Sequence, residues 1–241
     1  MAAYEHAYLW QKGRDERENF YTLAEESVMT GAGPVFFGVI CDSDYRTKKT
    51  VGWFYDEVLP ILRERGLGIF VRNSFLRHFS GRNEPFNCGV VIVFKRKLFF
   101  ALRGNLEFVR ISRRGKVRGI IGRKAKEGFF CNSADRRNQN CGFVKLHRRE
   151  KLLLWNSDLA SCFNDSELGA AFSEKANSKR MNSKRYNTAF QSIFTKKTKQ
   201  TVSCEDKLKM LGRRAVGRGC TGSLAAILFW DKRHSDNCEE A

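Results

Sequence analysis

The sequence predicts an α+β fold with strands and helices segregated into layers, and three observations predict it. Most strand-like runs are joined by connections of two to four residues, the signature of antiparallel hairpins. Two helical stretches sit together after the first buried strand, and more follow the late apolar run at 151–155. Strands and helices nowhere alternate as β-α-β, which excludes a doubly wound parallel sheet. A chain of 241 residues can bury a sizeable core, and no internal repeat divides it.

Taken in order, Tyr8-Leu9-Trp10 and Phe20-Tyr21-Thr22-Leu23 read as short strands, with a turn at Gly31-Ala32-Gly33-Pro34. The run from Val35 to Cys41 is almost wholly apolar and reads as a buried strand. It stops at Asp42-Ser43-Asp44, two acids that either bind a cation or cap the next helix. Over 48–65, Val51, Phe54, Tyr55, Val58, Leu59 and Leu62 recur at spacings of three and four, one apolar stripe of a helix. Pro60 inside that stripe predicts a kink or an early stop, and Gly66 and Gly68 suit the exit. A second helix is expected over 69–79.

Residues 88–112 read as a three-stranded meander broken at Lys95-Arg96-Lys97 and at Arg103-Gly104-Asn105. Residues 113–142 are basic and irregular, and 142–146 is an edge strand. The stretch Lys151-Leu152-Leu153-Leu154-Trp155-Asn156-Ser157-Asp158-Leu159 organises the whole reading. Its apolar run is too short for a free-standing helix and ends abruptly in small polar residues, as a buried strand does. A carboxylate held there, Asp158, is either a metal ligand or acid/base group or the cap of a helix over 159–163. Asp165 is the expected N-cap of the next helix. Ser203 should cap a helix over 205–216, whose acids come first and whose arginines come last. A final apolar strand covers 223–230.

Lys and Arg total 44 against 26 acids, a formal net charge of +18, which favours anionic partners: nucleic acid, phosphorylated protein or an anionic surface. No zinc-finger spacing, RNA-binding aromatic motif or zipper heptad accompanies the charge. The eight cysteines show no C-x-x-C pair. No apolar run approaches the roughly 20 residues that span a bilayer, and 1–10 lack a signal-peptide core. A cytoplasmic protein is expected.

The motifs in this order resemble the metal-dependent protein phosphatases, the PPM or type-2C serine/threonine family, over about residues 8 to 230. Phe37-Gly38-Val39-Ile40-Cys41-Asp42 is similar to the family's strand ending in a metal-binding Asp; Leu152 to Leu159 is similar to its Leu-Leu-Leu-x-Ser-Asp-Gly-Leu. Gly219-Cys220-Thr221-Gly222-Ser223 is similar to its closing Gly-Ser-Thr-Asp-Asn, and Arg14 to Asn19 to its N-terminal Arg-x-x-Asn-Glu-Asp. Leu102 to Glu107 and Arg113 to Lys116 echo a hairpin and a turn. The resemblance implies a four-layer α-β-β-α sandwich, two antiparallel sheets face to face between helix layers. It implies a single domain over 1–232; the Ser-, Asn-, Thr- and Lys/Arg-rich composition of about 173–203 reads as a mobile basic loop, and the polar 233–241 as a frayed tail.

In that family two Mn²⁺ or Mg²⁺ ions activate a water for attack on a phosphomonoester. Carried over by position, the bridging Asp falls on Cys41, a carbonyl-ligating Gly on Asp42, the late Asp on Gly222, the following Asn on Ser223, and the N-terminal Asp on Asn19. Asp158 stands, with Glu18 as a neighbouring acid and Asp42 as a substitute ligand one residue from the bridging position. Arg14 matches the phosphate-contacting Arg. Hard divalent ions need oxygen anions, so the resemblance implies a degenerate site: no cofactor is expected, and Mn²⁺ or Mg²⁺ only where activity remains. A pseudophosphatase that binds phosphorylated protein or a protein kinase partner is expected. The alternatives are an active phosphoprotein phosphatase with an altered site and a basic nucleic-acid-binding protein.

Overall fold

The computed structural model describes residues 4–13, 21–79, 86–121, 139–147, 150–173 and 203–231. The strands among them are β1 Tyr4–Gln11, β2 Thr22–Thr30, β3 Gly33–Cys41, β4 Cys88–Phe94, β5 Lys97–Arg103, β6 Leu106–Ile111, β7 Val117–Ile121, β8 Gln139–Lys145, β9 Lys151–Asn156 and β10 Leu224–Asp231. They form two five-stranded antiparallel sheets, in the orders β1-β10-β9-β6-β7 and β2-β3-β4-β5-β8.

The helices are α1 Asp44–Trp53, α2 Leu59–Arg65, α3 Ile69–Phe79, α4 Ser157–Ser161, α5 Asp165–Phe172 and α6 Cys204–Gly217. Three apolar clusters define the layers. Phe37, Val39 and Phe99 of the second sheet pack on Phe54, Leu62 and Phe75 of the first helix group. Ile40, Val91, Phe108, Leu154 and Ile227 fill the space between the sheets. Trp155, Leu153 and Leu228 pack on Leu168, Phe172, Leu208 and Leu211 of the other helix group. The four-layer α-β-β-α order is therefore present. Among the described residues no helix is long and apolar enough to cross a membrane.

Several sequence expectations need correction. Residues 88–112 do not form a three-stranded meander. β4 and β5 pair as a hairpin through Lys95 and Arg96, but β5 then pairs with β8, while β6 pairs with β9 and β7 in the other sheet. The connection at Gly104-Asn105 crosses between sheets. Gly104 adopts φ +80, and the Asn105 N–H is caught by the Asn87 side chain at 2.7 Å, so the chain turns out of the sheet plane instead of folding back. The stretch after 112 contains β7, hidden from a pattern search by its short length and by Arg118 and Gly119.

The helical stretch around Pro60 is interrupted, not continuous. A π-helical turn, Phe54–Val58, precedes α2, with the Leu59 N–H donating to the Phe54 carbonyl five residues back. The wider turn makes room for a ring that would collide with an ordinary preceding carbonyl. The cap of α1 is Ser43, not an acid, and it starts the helix four residues earlier than expected, at Asp44. The cap of α5 is Asn164, one residue before the expected Asp165, in a capping box with Glu167. Ser203 caps α6 as expected. The expectations for the loop at 173–203 and the tail at 233–241 fall almost wholly outside the described residues.

Candidate functional site

One end of the sandwich carries Cys41, Asp42, Asp158, Gly222 and Ser223, the described members of the set that sequence reasoning singled out. The register makes this so: Cys41 faces Thr22 and Cys88, Cys88 faces Arg103, Leu224 faces Gln11, and Asn156 faces Leu106. The end of β3, the start of β4, the β5–β6 crossover, the end of β9 and the approach to β10 thus meet there. Backbone contacts stitch them: Asp42 N–H to Asn87 O at 3.1 Å, and Ser157 N–H to Asn105 O at 3.1 Å.

Asp42 stands at this end, but it is already occupied. The Arg46 guanidinium, one helical turn on, donates to both carboxylate oxygens at 2.9 and 3.1 Å, and the Asn87 N–H donates to Oδ2 at 2.7 Å. Three contacts from two donors, one of them fully charged, satisfy the group that a cation would need. Arg46 and Arg103 both stack on Phe86, their guanidinium carbons 4.7 and 4.1 Å from the ring centroid. Asp44 pairs outward with Lys48 at 2.7 Å and takes no part.

Cys41 points the other way. Its side chain belongs to the helix-facing core, because successive strand residues alternate faces. Its Sγ lies 3.0 Å from the Sγ of Cys88. The Cys88 thiol is held well above its ordinary pKa, first by the hydrogen bond with Cys41 and then by burial. The position on which the resemblance sets the bridging Asp thus carries a side chain turned into the core.

Asp158 is not a helix cap: Asn156 precedes α4 as its cap residue, and Asp158 is second in the helix. Burial raises the pKa of its carboxyl. Among the described residues it has no ion-pair partner, and its nearest hydrogen-bonding group is Asn156 Nδ2 at 3.5 Å. Gly222 supplies no side chain, and its backbone lies against Gly13: a Cβ on Gly13 would come 2.7 Å from the Gly222 carbonyl carbon. The Ser223 hydroxyl accepts from the Gly13 N–H at 3.1 Å. Glu18, Asn19 and Arg14 lie outside the described residues.

Sequence reasoning missed four residues here. Arg46 carried one signal, its spacing of four from Asp42. Asn87 bridges Asp42 and Asn105. Tyr21 is buried with its phenol pKa raised, first by burial and then by the negative charges of Asp158 and Asp42, so the ring lies within the field of both carboxylates. Asn156 is fully buried: its Nδ2 donates to the Ser223 carbonyl at 2.8 Å, and its Oδ1 accepts from the Ala225 N–H at 3.0 Å. It ties the end of β9 to the start of β10. Asn156→Ala is expected to lower stability by about 2–3 kcal/mol in urea unfolding, since it strands a buried N–H and a buried carbonyl. A loss under about 0.5 kcal/mol would contradict that role.

The loop before Ser223 is anchored from behind. Arg218, just past α6, grips Glu167 of α5 at 2.5 and 3.1 Å and donates to the Cys162 carbonyl. The Arg218 hydrogen bonds pull the Glu167 pKa down, against an opposing push from burial. A depressed folded-state pKa gives stability that is present above the unfolded value, about 4.3, and is lost as pH falls through the folded one. Glu167→Gln should therefore flatten the decline in stability between about pH 6 and pH 3. An unchanged slope would remove Glu167 from the account.

The described residues do not fit a two-metal centre. Hard divalent ions need several oxygen anions on one spot, and among the described residues no three His, Cys, Asp or Glu side chains converge. Asp42 is neutralised by Arg46, Cys41 is turned into the core, and position 222 is bare.

No protein-family model matches the sequence, and no curated protein does. Solved structures match over nearly the whole chain. The serine/threonine phosphatase of S. agalactiae is 12% identical, with 95% of this chain and 100% of that one covered and a TM-score of 0.60. The serine/threonine phosphatase PstP/Ppp of Mycobacterium tuberculosis is 11% identical, with 94% and 97% covered and a TM-score of 0.54. A C. elegans sex determining protein is 10% identical, with 95% and 65% covered and a TM-score of 0.60. At such identities the likeness is one of fold.

Proposed function

We propose that this chain, whose fold is that of the metal-dependent serine/threonine phosphatases, is a pseudophosphatase that binds phosphorylated protein without hydrolysing it. The observation that carries the reading is the Arg46–Asp42 ion pair, one guanidinium nitrogen lying against both carboxylate oxygens, with an Asn87 N–H completing it. A protein-borne cation occupies the carboxylate that follows the bridging position. Among the described residues that leaves Asp158, and one carboxylate cannot offset the charge of two divalent ions or replace their lost hydration. The chain's net charge of +18 favours a dianionic phosphoryl group.

The test joins an assay to a titration. With millimolar Mn²⁺, p-nitrophenyl phosphate turnover should not exceed that of denatured protein, and calorimetry should detect no Mn²⁺ binding. A phosphoserine peptide should bind, more weakly as salt rises, and equally with or without EDTA. Mn²⁺-dependent turnover abolished by Asp158→Ala would reinstate an active phosphatase. A steep salt slope with duplex DNA or RNA and no preference for phosphopeptide would instead assign a nucleic-acid-binding role.

A further inference from the structure

Cys41 and Cys88 are the last residue of β3 and the first of β4, and they face each other across the ladder. The next pair outward, Asp42 and Asn87, is hydrogen-bonded through the Asp42 N–H and the Asn87 carbonyl at 3.1 Å. Hydrogen-bonded and non-hydrogen-bonded pairs alternate along an antiparallel ladder, so Cys41 and Cys88 form a non-hydrogen-bonded pair, the class whose Cα atoms approach most closely, at about 4.5 Å. That spacing lies within the range a disulfide spans, about 4.4–6.8 Å. The two sulfurs are already 3.0 Å apart, and both cysteines are free thiols. Joining them needs an approach of about 1 Å, to the S–S bond length of about 2.05 Å, which small side-chain rotations supply.

We propose that Cys41 and Cys88 are an oxidisable dithiol whose cystine ties β3 to β4 directly beneath Asp42 and Asn87. Both thiols are buried, so the oxidant must be small and uncharged, and hydrogen peroxide fits. One sulfur, giving up its proton, attacks a peroxide oxygen. The O–O bond breaks, hydroxide leaves and takes that proton as water, and the sulfur becomes a sulfenic acid. The second sulfur then attacks the first; its proton departs with the sulfenic hydroxyl as a second water. Two thiols lose two electrons and one peroxide gains them.

The position gives the bond its consequence. Asp42 follows one cysteine and holds Arg46; Asn87 precedes the other and holds Asn105 at the crossover between sheets. Any shift of the two sulfurs passes through a single peptide unit on each strand to those contacts. The inference is independent of whether phosphate is hydrolysed there.

The test uses the whole chain. Reduced protein is treated with hydrogen peroxide, quenched, denatured, alkylated and cut with trypsin, which places Cys41 and Cys88 in separate peptides. In a second arm, denatured protein refolds in a mixture of reduced and oxidised glutathione, where burial does not limit access. A Cys41–Cys88 cross-linked peptide pair, lost on reduction and missing from Cys88→Ala, is expected. Its appearance in either arm supports the proposal. Full alkylation of both cysteines in both arms, while other thiols oxidise, would overturn it.

Discussion

Gly169→Ala is expected to destabilise the protein by about 3 kcal/mol or more, although alanine is the better helix former by about 1 kcal/mol. Gly169 lies in α5, where the helix passes over the turn between β6 and β7. A Cβ there would land on the Gly115 carbonyl oxygen and lie 3.0 Å from its carbon. The obstruction is mutual: a Cβ on Gly115 would come 2.6 Å from the Gly169 carbonyl oxygen, and Gly115 adopts φ +79. Both obstacles are backbone, so no rotamer change relieves them, and the helix must lift off the sheet. Overpacking of this kind costs about 1–3 kcal/mol even where side chains can yield. Gly52→Ala on α1 is the matched control. A Cβ at Gly52 meets nothing within 4 Å, so that change should stabilise by about 0.5–1 kcal/mol. Urea unfolding of the two variants beside the parent settles it. Equal stabilities for Gly169→Ala and the parent would mean that α5 does not sit on the hairpin.

Phe37→Ala should cost about 3–5 kcal/mol. Phe37 is fully buried on β3 and stacks on Phe54, the first residue of the π-helical turn, with ring centroids 4.4 Å apart and planes 15° from parallel. Removing the ring takes away a stacked contact between the second sheet and the irregular turn and leaves a void in a fully buried layer. Met29→Ala, at an exposed position on β2, should change stability by less than about 0.5 kcal/mol. A Phe37 effect as small as that would show that the helix layer is not seated on β3.

The layered fold was legible because its signals are local. Near-continuous apolar runs at Val35 to Cys41 and Leu152 to Trp155 mark strands buried on both faces, and Ser203 marks a helix start. The crossover at Gly104-Asn105 was not legible, since a two-residue break looks the same whether the chain turns back or leaves the sheet. Only the pairing of β5 with β8 distinguishes the two. The site was half legible. The poverty of acids at positions 41 and 222 could be read from residue identity alone. The capture of Asp42 by Arg46 could not, because a pair spaced by four on a helix surface is usually a solvated contact of small consequence. Nor could the burial of Asn156, whose partners are backbone atoms about seventy residues away.

The pairing of β1 with β10 sets the order of assembly. Eight residues on each strand are partners, from Tyr4 with Asp231 to Gln11 with Leu224, and β10 is also the strand that joins β1 to β9. The sheet of β2, β3, β4, β5 and β8 can be complete once Lys145 has been synthesised. The other sheet cannot close until Asp231 has been made. During that interval β1 waits without a neighbour, its Ala7 and Leu9 uncovered, and the closing contact spans more than two hundred residues of sequence. Contacts of such separation slow folding and lengthen exposure to aggregation. The half of the molecule that contributes Asp158 and Ser223 is therefore the later half to exist.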